Sequence, residues 1–229
     1  MAVAALLLLL VAGLVLLIDW DVARPVDQAV IRAIRAEPLV APLGWLRAAT
    51  ELGGTWTVAL LAVLVGLVEV LARRPHLAAA AAATIGLAAI ANSTLKLVVA
   101  RPRPELLPPV VVEPGYSFPS GHTLSAAVAY GVIAVLVARS TLPPVVRAVA
   151  IGVLGAVVVA VGLSRIYLGV HYPTDVIGGW LTGLAWVVLF AGLTGRLDAR
   201  LSAPRARQPD VTAAPADRGA PRSGPPAAG

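Results

Sequence analysis

A histidine and a carboxylate, two residue types that together activate a nucleophile, occur four positions apart at His171 and Asp175. If Pro173 begins a helix, this spacing is about one helical turn, and the carboxylate can accept the Nδ1 proton of the imidazole. Nε2 would then be unprotonated and directed at a substrate, as a nucleophilic or basic histidine requires. The alternative is an exposed loop with an incidental pair. Arg165 lies in the same segment, SRIYLGVHYPTD, and this concentration of charge in an apolar chain favours a functional site.

A second histidine follows a break in the apolar sequence, in YSFPSGHTLS at residues 116–125. Pro119 fits the first position of a helix, which places Ser120, Gly121 and His122 in the first turn, where backbone N–H groups lack partners. Such a terminus binds anions, and a glycine there lets a ligand approach the backbone closely. The alternative is an ordinary interfacial helix start, with the serine as a cap and the histidine facing headgroups.

The third cluster is KLVVARPRP, residues 96–104, and it contains the only lysine of the chain. Lys96 and Arg103 would share a helical face if the helix persisted, but Pro102 and Pro104 predict a loop that folds back. Taken alone, this cluster is more typical of basic side chains that extend to headgroups at a membrane interface.

Together, the three clusters contain complementary groups for binding and transferring a phosphoryl group. Lys96, Arg103 and Arg165 supply three cations, and the turn at Ser120 and Gly121 supplies N–H donors. Cations and oriented N–H groups stabilise the negative charge that a phosphoryl group spreads over its equatorial oxygens during transfer. Two histidines in line could supply the nucleophile and the acid.

The elements that must position these clusters are apolar segments long enough to cross a membrane. The 229-residue chain is 59% hydrophobic and only 13% charged, well outside the composition of soluble domains. About 20 apolar residues cross a bilayer, and we interpret the first such segment as a retained anchor and not as a cleaved signal peptide. The six predicted spans are residues 2–18 and about 55–72, 77–99, 120–138, 145–163 and 175–194.

The predicted fold is therefore all-α, an integral membrane bundle of about six helices formed by residues 1–195. Residues 19–53 mix charged and apolar residues at loosely helical spacing, which indicates an amphipathic surface segment after the first span. Residues 196–229 are rich in Pro, Ala and Arg, which predicts a disordered cytoplasmic tail.

The distribution of arginine predicts the orientation, because cytoplasmic loops are enriched in Lys and Arg. One set of connections, with the tail, contains ten arginines. The basic residues on the opposite side are either mixed with acids or belong to the three clusters. We therefore expect both termini in the cytoplasm and the clusters on the outer face. The residues on that outer side are Arg24, Arg32, Arg35, Arg47, Lys96, Arg101, Arg103 and Arg165.

Composition also excludes several classes of function. The chain has no cysteine, so a disulfide framework, a thiolate zinc site and a thiol nucleophile are all excluded. Six of the arginines lie beyond residue 195, so the net charge of +6 is a property of the tail and does not indicate a nucleic-acid surface.

The three motifs resemble the signature of the type 2 phosphatidic acid phosphatases, membrane lipid-phosphate phosphatases related to vanadium haloperoxidases and bacterial acid phosphatases. That signature is K-x6-R-P, then P-S-G-H, then S-R-x5-H-x3-D. The sequence matches it without a departure at 96–104, 119–122 and 164–175. The resemblance covers about residues 50–195, and by its spacing Arg103, not Arg101, matches the arginine of the first motif.

The resemblance implies that His171 attacks phosphorus and forms a phosphohistidine, that Asp175 orients it, and that His122 protonates the departing alkoxide and then helps to activate water. It gives Ser164 no more than a supporting role. No metal or other cofactor is implied, and no cluster has the ligand set of a dedicated metal site. The implied phosphate ligands are Lys96, Arg103, Ser120, Gly121 and Arg165.

The function expected from this resemblance is metal-independent hydrolysis of a membrane lipid phosphate or diphosphate. Undecaprenyl diphosphate, phosphatidylglycerol phosphate and phosphatidic acid are all candidates, because the motifs bind the shared phosphate and not the tail. A phosphotransferase, in which a hydroxyl acceptor takes the phosphoryl group from His171, is an alternative. A non-enzymatic lipid-headgroup transporter is another, but it leaves His122 and the spacing of His171 and Asp175 unexplained. A haloperoxidase shares the motifs, yet six spans favour a lipid substrate.

Overall fold

The computed structural model describes residues 2–36, 43–106 and 111–202, and within these ranges the regular structure is entirely helical. The predicted all-helical bundle is therefore confirmed. Eight helices follow one another along the described ranges. They are α1 (Ala2–Asp19), α2 (Arg24–Ala36), α3 (Leu43–Glu51), α4 (Thr55–Leu71), α5 (Pro75–Val99), α6 (Gly121–Ala138), α7 (Pro144–Tyr167) and α8 (Pro173–Ser202).

The membrane spans agree with the predicted six, with one difference. Helices α1, α5, α6, α7 and α8 are each long and apolar enough to cross a bilayer. The helix α4 has only 17 residues, and it becomes a sixth candidate span when α3, bent against it by 44°, is counted with it. The predicted amphipathic segment contains α2 and α3, and its residues 37–42 lie outside the described ranges. The protein is thus a multi-pass membrane protein.

Two predicted boundaries differ from the structure. Pro119 is not the first helical residue, because α6 begins at Gly121 and Ser120, with extended backbone, occupies the N-cap position that serine favours. The helix α8 continues to Ser202, past the predicted boundary at 195. Within this extension, the carboxylate of Asp198 pairs with His76 of α5 at 2.9 Å. The predicted tail from 203 to 229 lies outside the described residues.

The helix α6 is the centre of the bundle, and α4, α5, α7 and α8 pack around it. Small alanine side chains of α5 pack against its larger apolar side chains, which lets the helix backbones approach closely. The helix α1 packs along α8 and buries Ala4, Leu7 and Val11. Many apolar side chains remain exposed on the outer faces of the spans, as expected for surfaces that contact lipid tails.

The two short helices support one end of this bundle. Ile31 of α2 packs with Ile166 and Val176, and Leu46 of α3 packs with Leu168. These contacts fix the end of α7 and the beginning of α8 relative to each other. The predicted clusters are found at this end.

Candidate active site

A glycine turn joins α7 to the segment that contains His171. Gly169 has a φ of 76°, the left-handed conformation that a residue without Cβ adopts easily. Its N–H bonds to the carbonyl of Ile166 at 3.0 Å, and the N–H of Val170 bonds to the carbonyl of Arg165 at 3.3 Å. This pair of bonds is a Schellman motif, which ends α7 and reverses the chain. Arg165, in the last turn of α7, and His171, just after the turn, are thereby brought to the same end of the bundle.

His171 and Asp175 are both buried, with exposed fractions of 1% and 0%. Nδ1 of His171 lies 3.4 Å from Oδ2 of Asp175, at a geometry short of a hydrogen bond. Nη1 of Arg103 lies 3.3 Å from Nε2 on the other side of the ring. A guanidinium can only donate, so Nε2 presents its lone pair to Arg103, and the ring proton is on Nδ1, facing Asp175. This is the tautomer that a nucleophilic Nε2 requires.

Burial also keeps the imidazole neutral. It lowers the pKa of His171 below the usual value, and the neighbouring Asp175 carboxylate acts against this decrease without cancelling it. Arg165 and Arg103 add to the lowering, because a second positive charge beside them is unfavourable. His171 is therefore uncharged at neutral pH, with an unprotonated Nε2.

The loop after α5 folds back, as its prolines predicted, and its carbonyl groups hold two of the predicted cations. Arg103 donates to the carbonyl groups of Pro114, Gly115 and Val170 at 3.1, 3.0 and 2.9 Å. Nζ of Lys96 donates to the carbonyl of Tyr116 at 2.6 Å. Both side chains are thus directed toward the segment that leads into α6.

The third cation, Arg165, is buried, with an exposed fraction of 1%. Its Nη1 donates to Oγ1 of Thr50 at 2.5 Å, and its Nη2 forms an ion pair with Glu113. Glu113 also lies 3.4 Å from Nη2 of Arg103. Burial tends to raise the pKa of Glu113, but the charge of Arg165 outweighs it and lowers the pKa, so the carboxylate is ionised at neutral pH. One anion therefore bridges two of the three predicted phosphate-binding cations.

Glu113 was not among the predicted site residues. The loop between α5 and α6 contains two acids, Glu105 and Glu113, and nothing in their spacing distinguishes them. The only available signal was that an acid falls between two basic motifs that converge on one site.

The first turn of α6 meets the end of α5. The first bond within α6 joins the N–H of Leu124 to the carbonyl of Ser120, so the amides of residues 121–123 have no partner inside the helix. Ser120 is buried, its N–H donates to the backbone carbonyl of Asp175 at 3.0 Å, and its hydroxyl accepts from Thr123 at 2.9 Å. At Gly121, a Cβ would lie 3.9 Å from Cε of Lys96, so the lysine is next to this terminus.

His122 faces a cavity of about 370 Å³ that Thr50, Glu113 and Arg165 also line. A Cβ at Gly53 would approach the backbone oxygen of His122 to 2.6 Å, so only glycine lets the loop before α4 pack against this turn. The predicted site residues therefore meet at one end of the bundle. These are Lys96, Arg103, Ser120, Gly121, His122, Arg165, His171 and Asp175.

Two other residues of the motifs have structural contacts. Arg101, which does not fit the spacing of the first motif, donates from Nη1 to Oδ1 of Asp175 at 2.6 Å. Ser164 is buried, and its hydroxyl donates to the carbonyl of Val161 at 2.7 Å, within its own helix. Within the described ranges, no three His, Asp or Glu side chains form a group that could hold a metal ion.

A model of the PAP2 superfamily matches residues 77–197, which is more than half of the chain and includes all three motifs. The chain belongs to the PAP2 superfamily. The resemblance noted from the motifs is thereby confirmed. The matched residues begin in α5, so α1 to α4 of this PAP2 protein, with Asp27 and Thr50, lie outside them.

Phosphatidylglycerophosphatase B of Bacillus subtilis is 40% identical over 111 residues, which are 46% of this chain and 52% of the relative. An undecaprenyl-diphosphatase of Sulfolobus acidocaldarius is 36% identical over 106 residues, 44% of this chain and 47% of the relative. The PAP2 protein thus spans about half the length of the curated relatives it matches. The crystal structure of a transmembrane PAP2 type phosphatidylglycerolphosphate phosphatase from Bacillus subtilis matches with a TM-score of 0.77 and 29% identity, over 86% of this chain and 98% of that chain.

Proposed function

We propose that this PAP2 protein is a phosphatase that hydrolyses a membrane lipid phosphate or diphosphate, with His171 as the nucleophile. The observation that carries the proposal is the environment of His171, whose Nε2 faces Arg103 while Nδ1 faces the buried carboxylate of Asp175. The names of two relatives, a phosphatidylglycerophosphatase and an undecaprenyl-diphosphatase, support a lipid substrate.

In the first step, the lone pair on Nε2 of His171 attacks phosphorus. A P–N bond forms, the P–O bond to the leaving group breaks, and His122 donates a proton to the departing oxygen. Asp175 stabilises the positive charge that develops on the ring of His171. Lys96, Arg103, Arg165, the Ser120 hydroxyl and the free amides of α6 bind the phosphate oxygens and stabilise their charge in the transition state.

In the second step, water attacks the phosphohistidine. His122, now neutral, accepts the proton of that water, the P–N bond breaks, and inorganic phosphate leaves. His122 donates and accepts the protons, and the cations and amides named above stabilise the negative charge. The proposed mechanism is therefore metal-independent. We expect EDTA to leave the rate unchanged.

The substrate class is tested with purified protein and a panel of lipids. Phosphatidic acid, phosphatidylglycerol phosphate and undecaprenyl diphosphate are presented in detergent with EDTA, and released phosphate is measured with and without an added acceptor alcohol. The proposal predicts phosphate release from at least one lipid. Release from none by folded protein contradicts hydrolysis, and a phosphorylated alcohol as the main product indicates a transferase.

Glu113 occupies the space between Arg103 and Arg165 where a phosphate would bind, so it must be displaced by the substrate. We expect Glu113→Gln to bind inorganic phosphate about tenfold more tightly, because the negative charge that pairs with Arg103 and Arg165 no longer competes with the phosphate. Inhibition by phosphate and the KM for lipid measure this effect. The exposed Glu105 gives a matched control, Glu105→Gln, which should match wild type. Weaker phosphate inhibition in Glu113→Gln would show that the carboxylate assists binding and does not compete.

We propose that both termini face the cytoplasm and that the site faces the outer surface. The arginine distribution supports this orientation, because Arg73, Arg74 and Arg139 lie in the connections at the other end of the helices, and Arg147 lies in the first turn of α7 at that end. The chain has no cysteine, so a single introduced one reports its side. In intact cells, a membrane-impermeant maleimide should label a cysteine at the exposed Val112 and spare one at Leu142. The reverse pattern contradicts the orientation.

A further inference from the structure

A buried chain of charges contacts Asp175 through Oδ1, whereas His171 faces Oδ2. Asp27 of α2 has an exposed fraction of 0%, and Arg101 one of 8%. Arg101 donates from Nη2 to Oδ2 of Asp27 at 2.7 Å and from Nη1 to Oδ1 of Asp175 at 2.6 Å. One guanidinium therefore joins the carboxylate beside His171 to a carboxylate of a different helix.

The same aspartate caps the helix that carries Asp175. The helix α8 begins at Pro173, so Tyr172 is at the N-cap, and its side chain is not one that caps helices. Asp27 supplies the missing acceptor, since Oδ1 accepts from the N–H of Thr174 at 3.0 Å and Oδ2 from its hydroxyl at 2.6 Å. Asp175, at the third helical position, accepts from the N–H of Tyr172 at 2.9 Å, as the acid of a capping box does.

From these contacts we propose that Asp27 and Arg101 are positioning residues, which hold Asp175, and through it the imidazole of His171, in the orientation for attack on phosphorus. This inference rests on the proposed phosphatase function. It assigns part of the catalytic geometry to α2, outside the residues 77–197 that the superfamily model matches.

The hydrogen bonds of Asp175 explain how this positioning works. Arg101 holds Oδ1 and the N–H of Tyr172 holds Oδ2, and this pair of bonds leaves Oδ2 facing His171, 3.4 Å from Nδ1. Without Arg101 only the Tyr172 N–H holds the carboxylate, and the positive charge that balances it on the Oδ1 side is lost. Without the charge of Asp27, the guanidinium loses its second anchor, and a buried ion without its partner destabilises the arrangement around it.

Charge balance around His171 gives a second readout. The rate falls at acidic pH as His171 becomes protonated, because the protonated ring cannot attack phosphorus. The pKa of His171 therefore sets the acid limb of the pH profile. Arg101→Gln leaves Asp175 uncompensated and should move the acid limb of kcat/KM to higher pH. Asp27→Asn leaves more of the guanidinium charge to Asp175 and should move that limb to lower pH. Other charged or titratable groups also act on His171 or Asp175, namely Lys96, Arg103, Glu113, His122, Arg165 and Tyr172.

The test compares kcat and KM for a lipid phosphate in wild type, Asp27→Asn and Arg101→Gln. Asp27→Asn keeps one oxygen that can accept from the N–H of Thr174, and it replaces the oxygen that accepts from Arg101 with an uncharged amide nitrogen that cannot accept. We expect kcat to fall about tenfold in Asp27→Asn and about a hundredfold in Arg101→Gln, the range for groups that orient a reacting side chain. The KM should change less than about twofold, because neither residue reaches the phosphate. Arg101→Lys should recover part of kcat.

Two comparisons separate positioning from general destabilisation. Glu69 of α4 is another buried carboxylate, paired with Arg74 at 2.9 Å, so Glu69→Gln is a matched control and should leave kcat unchanged. In an Asp175→Asn background, adding Arg101→Gln should cause no further loss of kcat, because both changes remove the same interaction. If Arg101→Gln does not fold, as judged by gel filtration, Asp27→Asn and Arg101→Lys carry the test.

The inference is overturned if wild type is active and Asp27→Asn retains its kcat and its pH profile. It is also overturned if the loss of kcat in the double variant equals the product of the losses in Arg101→Gln and Asp175→Asn. A change in KM without a change in kcat for Asp27→Asn and Arg101→Gln would overturn it as well. No phosphate release by wild type from any lipid removes the proposed function itself, and the inference with it.

Discussion

Replacement of His171 with alanine abolishes phosphate release in the proposed mechanism, because it removes the imidazole that forms the P–N bond. We expect turnover of a lipid phosphate to fall at least about 10⁴-fold, to the level left by binding groups alone. The side chain is buried, so the variant should also lose roughly 1–3 kcal/mol of stability, the usual range for truncation of a buried group. Phosphate release and thermal unfolding in detergent measure the two effects.

His76 provides the matched control for this change. It is a histidine of α5 at the opposite end of the bundle, where its Nε2 pairs with Asp198 at 2.9 Å. His76→Ala should keep wild-type turnover. Turnover by folded His171→Ala within about tenfold of wild type would remove His171 as the nucleophile, since loss of a covalent catalyst costs far more.

Replacement of His122 with alanine should have an effect that depends on the leaving group. A lipid alkoxide is a poor leaving group and needs the proton that His122 donates, so we expect a loss of about 10²–10⁴-fold on phosphatidic acid. An activated aryl phosphate departs as a stable phenolate, and its hydrolysis should fall less than about tenfold at the first step. Single-turnover rates on both substrates measure the difference.

Equal losses on the two substrates would exclude His122 as the general acid. Its position in the cavity with Glu113 and Arg165 would then indicate a role in phosphate binding. An increase in the KM of His122→Ala at unchanged kcat would identify that role. Such a change means that the lost interaction stabilised the bound substrate and the transition state equally.

The spans and the three clusters could be predicted because both depend on local sequence. A membrane span needs a continuous apolar segment of sufficient length, and the contacts of the first helical turn depend on residues such as Pro173 and Ser120 that favour particular positions. The spacing of the first motif likewise selected Arg103, whose Nη1 lies 3.3 Å from Nε2 of His171. The structure adds that Arg101 binds Asp175.

Asp27 and Glu113 could not be predicted, because their partners are remote in sequence. Asp27 occurs in a segment that mixes charged and apolar residues, where an acid is expected to be solvated, yet it is buried against Arg101 and Thr174. The turn at Gly169 and the bend between α3 and α4 were missed for a related reason. Each depends on packing against other helices, and the presence of a glycine in the sequence does not show which helix packs against it.

The most direct measurement is to identify the residue that carries phosphate during turnover. A lipid substrate with a ³²P-labelled terminal phosphate is mixed with the protein, quenched in alkali after milliseconds, and digested for peptide mapping. The proposed mechanism predicts one labelled peptide, containing His171, whose label is stable in alkali, labile in acid and absent from His171→Ala. Phosphate release without a labelled protein, or a label on His122, would contradict His171 as the nucleophile.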